Sequence, residues 1–290
     1  MTAPFRGSAS ELTRQRLRGK RYRRLSRDLY LLNGDDPDLR TRVAAAQLVL
    51  PDAVTCLWTA AEMHRLPVRL EDDVHLARPR GAARSERSGI RVHRLAVPPA
   101  ERVLLAGVAA TSGPRTWLDL AAHLGLEDLV AVGDAVARKW PGRLDGVVHG
   151  VRRRPGIVLA RQAVTLIDAR ADSPAETRHR LRLHAAGFTG LRHGVEVHDE
   201  LGGWLASPDL ADEVARVALQ HDGEVHFLGG VERWRQDQLR DELTREQGWE
   251  VIQTTALDGR RPGQLIDRVA RAYLRSAAVR GAQVLPMHLR

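Results

Sequence analysis

Three acidic side chains, an amide and a histidine in the second half of this sequence have the types and spacing of a hydrolytic site. Asp209 follows Pro208, Gln220 stands two residues before Asp222, and Gly223 comes next. His226 lies four residues beyond Asp222, and Glu176 stands well upstream. Carboxylates grouped with a histidine suit a hard divalent cation such as Mg²⁺ or Mn²⁺, which takes oxygen ligands and retains waters. Such an ion polarises a phosphoryl oxygen and lowers the pKa of bound water, and a histidine supplies a general acid or base. Asp209, Asp222 and Glu176 are the expected metal ligands, His226 the acid–base group, and Gln220 a carbonyl donor beside them. The chemistry this implies is phosphodiester hydrolysis. Each residue also has a plainer role. Glu176 fits a helix cap, Asp222-Gly223 a turn, and His226 a surface position. Asp209 in an otherwise apolar strand pair needs a partner.

These residues meet only if the chain between them folds in a particular order. Ser173-Pro174-Ala175-Glu176 has an N-cap serine, a proline at the first helical position and an acid at the third, a capping-box pattern. The helix it opens ends near Gly187. Strands are expected near Val195–Val197, Trp204–Leu210 and Val217–His221. If residues 212–216 form a hairpin loop, Asp209 lies opposite Gln220, and period-two alternation puts Gln220 and Asp222 on one face. A helix over about Val231–Glu246, a strand Trp249–Thr254 and a closing helix Gly263–Ala278 complete an α/β unit of about 110 residues. The first half reads differently. An arginine-rich segment Glu11–Arg27 leads into a strand-like Leu29–Leu32, and helices follow at Asp38–Leu50 and Thr55–Leu66. Asp73–Ala77 and Ile90–Leu95 are strand-like, joined by a basic hairpin tip. Thr116–Leu124 and Leu126–Ala137 are helical, Pro141–Pro155 is the expected linker, and Gly156–Ala171 forms a helix belonging to the first half.

Charge is distributed unevenly over this plan. The 290 residues hold 45 Lys+Arg against 36 Asp+Glu, a net of +9, and only Lys20 and Lys139 are lysines. Arginine over lysine fits a GC-rich coding bias, but the bias does not explain the net charge. Residues 1–30 carry nine cations and two acids, whereas residues 172–275 carry 14 cations and 18 acids. A basic N-terminal part joined to a slightly acidic C-terminal part suggests that one half meets a polyanion. DNA is the expected partner, with Arg18, Lys20, Arg21, Arg23 and Arg24 contacting it. A solvated basic face is the alternative. Hydrophobic residues at 43% exclude a disordered chain, and Cys56, the only cysteine, excludes a disulfide scaffold or a Cys-rich zinc site. The arginine-rich start lacks the apolar core of a secretory signal, and no apolar run is long enough to span a membrane, so a cytoplasmic location is expected.

Several runs carry a resemblance. Ser173-Pro-Ala-Glu-Thr-Arg178, Gly203-Trp-Leu-Ala-Ser-Pro-Asp-Leu-Ala211, Gln220-His-Asp-Gly-Glu-Val-His226, Trp234-Arg-Gln-Asp-Gln-Leu-Arg240 and Gly248-Trp-Glu-Val-Ile252 resemble actinobacterial endonuclease-domain proteins. Their C-terminal domain is similar to the very-short-patch-repair endonuclease of the PD-(D/E)XK superfamily. Leu25–Leu31, Ala53–Pro67 and Thr111–Ala121 resemble the AbiEi-type antitoxin domain, which implies winged-helix DNA binding. The implied fold class is α/β. A PD-(D/E)XK-like mixed sheet flanked by helices over 165–280 follows an α+β winged-helix-like, antitoxin-like domain over 1–155. Family members carry Glu where this chain has Gln220 and Arg where it has Gln253. Losing that carboxylate removes a negative charge and weakens Mg²⁺ binding.

Two functions follow as expectations. One is a metal-dependent DNA endonuclease in which Asp209, Asp222 and His226 carry the chemistry and Arg233, Arg235 and Arg240 hold phosphate, since arginine pairs phosphate bidentately. The other is a catalytically inert DNA-binding regulator using the same fold. A third possibility is that the arginines serve contacts with a toxin or defence-system protein.

Overall fold

The computed structural model describes residues 3–34, 36–82, 85–221 and 230–289, with backbone alone at 221, 230–234 and 237. Asp222 and His226 lie outside the described residues. The chain divides into two compact units. The first comprises Met1–Gly125 and Lys139–Val164, the second Leu126–Arg138 and Thr165–Arg290.

The first unit opens with β1 (Phe5–Arg6), the short helix α1 (Arg14–Leu17), β2 (Tyr22–Ser26) and β3 (Leu29–Leu32). Its strands pair antiparallel in the order β1-β3-β2. The arginine-rich segment is therefore ordered, and β2 is a strand that composition alone did not reveal. Helix α2 (Leu39–Val49) starts where Asp38 accepts a hydrogen bond from the Thr41 amide at 2.8 Å. β4 (Val54–Thr55), α3 (Leu57–Met63), β5 (Val74–Arg78), β6 (Ile90–Arg94), β7 (Arg102–Leu105) and β8 (Val108–Thr111) follow. They build a mixed five-stranded sheet ordered β6-β5-β4-β8-β7. Val43, Ala46 and Leu50, at helical spacing, pack α2 onto Val74, Leu76 and Val108 of that sheet.

The basic run between β5 and β6 is not a hairpin tip. The two strands are parallel, in register from Val74↔Ile90 to Arg78↔Arg94. A parallel pair needs a connection that returns to the starting end of the first strand, and this run makes that return.

Helix α4 (Gly113–Leu120) carries a buried ionic knot. Arg115, 2% exposed, donates from Nε to both oxygens of Asp119 at 3.0 and 3.1 Å, from Nη1 to Glu101, and from Nη2 to the Ala96 carbonyl at 3.0 Å. The run Thr111–Ala121 thus contains a buried ion-pair cluster. After α5 (Leu126–Lys139) come α6 (Arg143–His149) and α7 (Ile157–Val164). The expected linker accordingly contains a helix, α6, whose Leu144 and Val148 are buried. Gly156, at φ +78°, lies where a Cβ would meet the Ala121 backbone at 2.3 Å.

In the second unit, Ser173 caps α8 (Pro174–Ala185), accepting from the Glu176 amide at 3.2 Å. Then follow β9 (Val197–His198), β10 (Trp204–Ala206), β11 (Leu210–Asp212), β12 (Val217–His221), α9 (Gly230–Glu246), β13 (Glu250–Thr254), α10 (Ala256–Arg260) and α11 (Pro262–Arg280). The expected strand Trp204–Leu210 is two strands in two sheets, because the chain breaks at Ser207-Pro208. β10 pairs with β9, and β11 with β12. The central sheet is ordered β11-β12-β13, antiparallel then parallel. One face, through Leu210, Leu219 and Ile252, packs on Leu183 of α8 and on Leu265, Val269 and Tyr273 of α11. On the other, Ala211 and Ala218 meet Val197 and Trp249. Helix α5, expected in the first half, belongs largely to this unit, because its buried Asp134 is bonded to Thr177 of α8 and to the Asp168 amide. The chain is a mixed α/β protein. Among the described residues no helix is long and apolar enough to cross a membrane.

Candidate functional site

The β11–β12 ladder runs Leu210↔Leu219, Ala211↔Ala218, Asp212↔Val217. Continued one step, it sets Asp209 opposite Gln220, as the loop length requires. Asp209 itself is a bend just before β11, and alternation puts Gln220 with Ala218 on the face away from α8 and α11. On the far side of β12, Gln220 is in register with Gln253 of β13. Asp209, Gln220 and Gln253 are all half-buried. Helix α9 packs against β10 and β13, and its Asp241 accepts a hydrogen bond from the Gln253 amide. Arg240, also on α9, lies over the Trp204 ring with its guanidinium carbon 5.6 Å from the centroid. Arg235 is exposed on the same helix. The Arg233 side chain lies outside what is described.

A histidine absent from the sequence reading supports Asp209. His193 is 2% exposed, and its Nδ1 donates to the Asp209 carbonyl at 2.6 Å. Arg192, next to it, exchanges two backbone hydrogen bonds with Ala211, both 2.9 Å. Asp209 is thus anchored on a short strand bridge as well as by the imidazole. The Glu176 Oε2 is 4.0 Å from the same Nδ1 and accepts the Asp172 amide at 2.9 Å. Glu176, 7% exposed, therefore caps its helix, and His193 links it to Asp209. Burial lowers the His193 pKa and so favours the neutral ring. Its Nε2 has no hydrogen-bond partner among the described residues. Only the 192–211 pairing reveals this role, and the isolated run Arg192-His193-Gly194 has no periodic signal.

Beside this group, Asp134 is buried. Burial is the main cause that raises its carboxyl to about 6, opposed by hydrogen bonds from Thr177 and the Asp168 amide and by Arg180. Among the described residues no group of three His, Cys, Asp or Glu side chains is placed to hold a metal ion. Cys56 is buried, which pushes its thiol pKa up and leaves it a poor nucleophile.

The expected DNA-contacting cations of the first unit divide into two kinds. Arg23 pairs with Asp36, and Arg24 donates to the Ser26 carbonyl at 3.2 Å. Arg18, Lys20 and Arg21 are exposed, and their side chains have no partner among the described residues.

No family model matches the chain. Two curated relatives do, the uncharacterized proteins Rv2248 and MT2308 of Mycobacterium tuberculosis, strains H37Rv and CDC 1551. Each is 30% identical over 243 residues, covering 81% of this chain and 87% of the relative. The chain belongs to their family. The match is longer than either unit, so family membership extends across both. The names of these relatives state no activity.

Proposed function

We propose that this protein binds DNA and that its second unit is a metal-dependent endonuclease of the PD-(D/E)XK kind. The observation that supports the reading is the β11–β12 register, which brings the chain at Asp209, one residue before β11, to the end of the mixed sheet where Gln220 lies. The donor set fits a hard cation, since both residues offer oxygen and both are half-buried. Asp209 and Asp222 would hold Mg²⁺ or Mn²⁺, with Glu176 assisting; Asp222 lies outside the described residues. A bound ion would polarise a phosphoryl oxygen and lower the pKa of its water. His193 fixes Asp209 through the backbone. Arg235 and Arg240 supply charge for the DNA backbone, as do Arg18, Lys20 and Arg21 of the first unit. His226 is the proposed acid–base group.

The test is nicking of supercoiled plasmid with Mg²⁺ or Mn²⁺. Wild type should nick, and Asp209→Ala should not. Full activity in that variant would remove Asp209 from the site.

One observation favours a second reading, an inert DNA-binding regulator. Gln220 and Gln253 are neutral amides side by side in register, where the resembled family carries Glu and Arg. DNA binding without cleavage under either metal would support it.

A further inference from the structure

We infer that the N-terminal sheet and α1 form a pocket for an unpaired nucleotide of a DNA strand, which binds its phosphate on arginine and its base against tyrosine. This rests on the reading that the protein binds DNA, and it names the form of DNA that the first unit takes. A cavity of about 350 Å³ opens between α1 and the β2–β3 face, lined by Arg14, Leu17, Arg18, Tyr22, Arg24 and Tyr30. That volume is at the lower end for a small-molecule site, about 300–1,000 Å³.

The lining follows from local geometry. Arg24 and Tyr30 are cross-strand partners, and Tyr22 is two residues from Arg24, so all three share one face of the sheet. Arg14 and Arg18 are four residues apart along α1, hence neighbours on one side of it. Both are exposed, and neither side chain has a hydrogen-bond or ion-pair partner among the described residues. Among the described residues the Arg24 side chain bonds the Ser26 carbonyl alone. Two carboxylates of this part of the chain are already engaged: Asp28 by Arg6 and Ser8, and Asp36 by Arg23. Three guanidinium groups therefore line one cavity whose lining, among the described residues, includes no carboxylate, an arrangement suited to a phosphate.

The two rings are held in place before any ligand arrives. Phe5 stacks on Tyr30 with centroids 6.1 Å apart and meets Tyr22 edge-on at 5.7 Å. Gly7 leaves room for the Tyr30 ring, since a Cβ there would lie 2.7 Å from it. Both tyrosines remain half-exposed. Duplex bases are stacked on their neighbours and present edges only. An unpaired base presents its face, which aromatic side chains take regardless of sequence.

The experiment measures binding of the full-length protein to a fluorescently labelled oligo(dT) strand and to a duplex of the same length, by anisotropy at one salt concentration. Tyr22→Ala should weaken single-strand binding about tenfold and leave duplex binding within about twofold. Tyr22→Phe keeps the ring and should retain single-strand affinity. Arg14→Gln and Arg18→Gln, both on exposed positions, should each weaken single-strand binding. The inference is overturned if Tyr22→Ala binds the single strand as wild type does, or if Tyr22→Phe falls as far as Tyr22→Ala. Tighter binding of oligo(U) would overturn the assignment to DNA. If wild type binds neither strand nor duplex, the DNA reading itself fails. If it binds duplex alone, only this inference fails.

Discussion

Replacing Asp134 by asparagine should abolish a pH dependence that the fold builds into α5. Asp134 is 1% exposed. It accepts the Thr177 hydroxyl and the Asp168 amide, each at 2.7 Å, while the Arg180 guanidinium stands 3.5 Å away. Burial outweighs these favourable contacts and lifts the carboxyl from 3.8 to about 6. An acid whose pKa is higher in the folded state binds more protons there than in the unfolded chain. Its contribution is full below about pH 4 and is lost as pH rises through about 6. At about 1.4 kcal/mol per pH unit the loss reaches ~3 kcal/mol. Asparagine keeps the shape and an acceptor oxygen but does not ionise. His193, whose pKa burial lowers, has the opposite slope, with stability lost as pH falls. That contribution is present in both proteins and cancels in the difference. Urea unfolding at several values from pH 4 to 7 measures it. The stability of Asp134→Asn relative to wild type should rise by up to ~3 kcal/mol across the range. Parallel curves would show that burial does not dominate at Asp134. A difference that falls with pH would show that the Arg180 ion pair does.

Arg115→Ala should destabilise the first unit by about 1–3 kcal/mol, because it removes hydrogen bonds to buried Asp119, to Glu101 and to the Ala96 carbonyl while Arg154 still pairs with Asp119; a melting temperature within a degree or so of wild type would contradict this. Tyr273→Phe removes a 2.7 Å hydrogen bond to Asp212 from a fully buried ring. The expected cost is about 1.5–3 kcal/mol at neutral pH by denaturant unfolding, since the acceptor is charged. Gly156→Ala places a methyl group against the Ala121 backbone at a left-handed φ and should cost at least ~2 kcal/mol; an unchanged denaturation midpoint would refute the steric argument.

Local rules made some of this architecture readable in advance. Ser173-Pro174 announced α8 because capping chemistry is a property of a few adjacent residues. The β11–β12 hairpin, which brings Asp209 to the Gln220 end of the sheet, followed from its loop length. Other features depend on partners distant in sequence. Trp204–Leu210 looked continuous, and only pairing divides it between two sheets at Pro208. Nothing local distinguishes a hairpin from the parallel return between β5 and β6. Arg143–His149 follows Pro141-Gly142 and reads as linker until Leu144 and Val148 are seen buried. Helix α5 precedes the first unit's α6 and α7 in sequence, yet Asp134 ties it to α8. His193 became visible as the support for Asp209 only once residue 192 paired with residue 211.

The central claim concerns the end of the sheet where Asp209 and Gln220 lie, and side-by-side plasmid nicking with Mg²⁺ and Mn²⁺ tests it most directly. Wild type, Asp209→Ala and Gln220→Glu are compared. The account predicts nicking by wild type, none by Asp209→Ala, and faster nicking by Gln220→Glu, because a carboxylate there adds a charged ligand. Equal rates in all three, or no nicking even by Gln220→Glu, would contradict it.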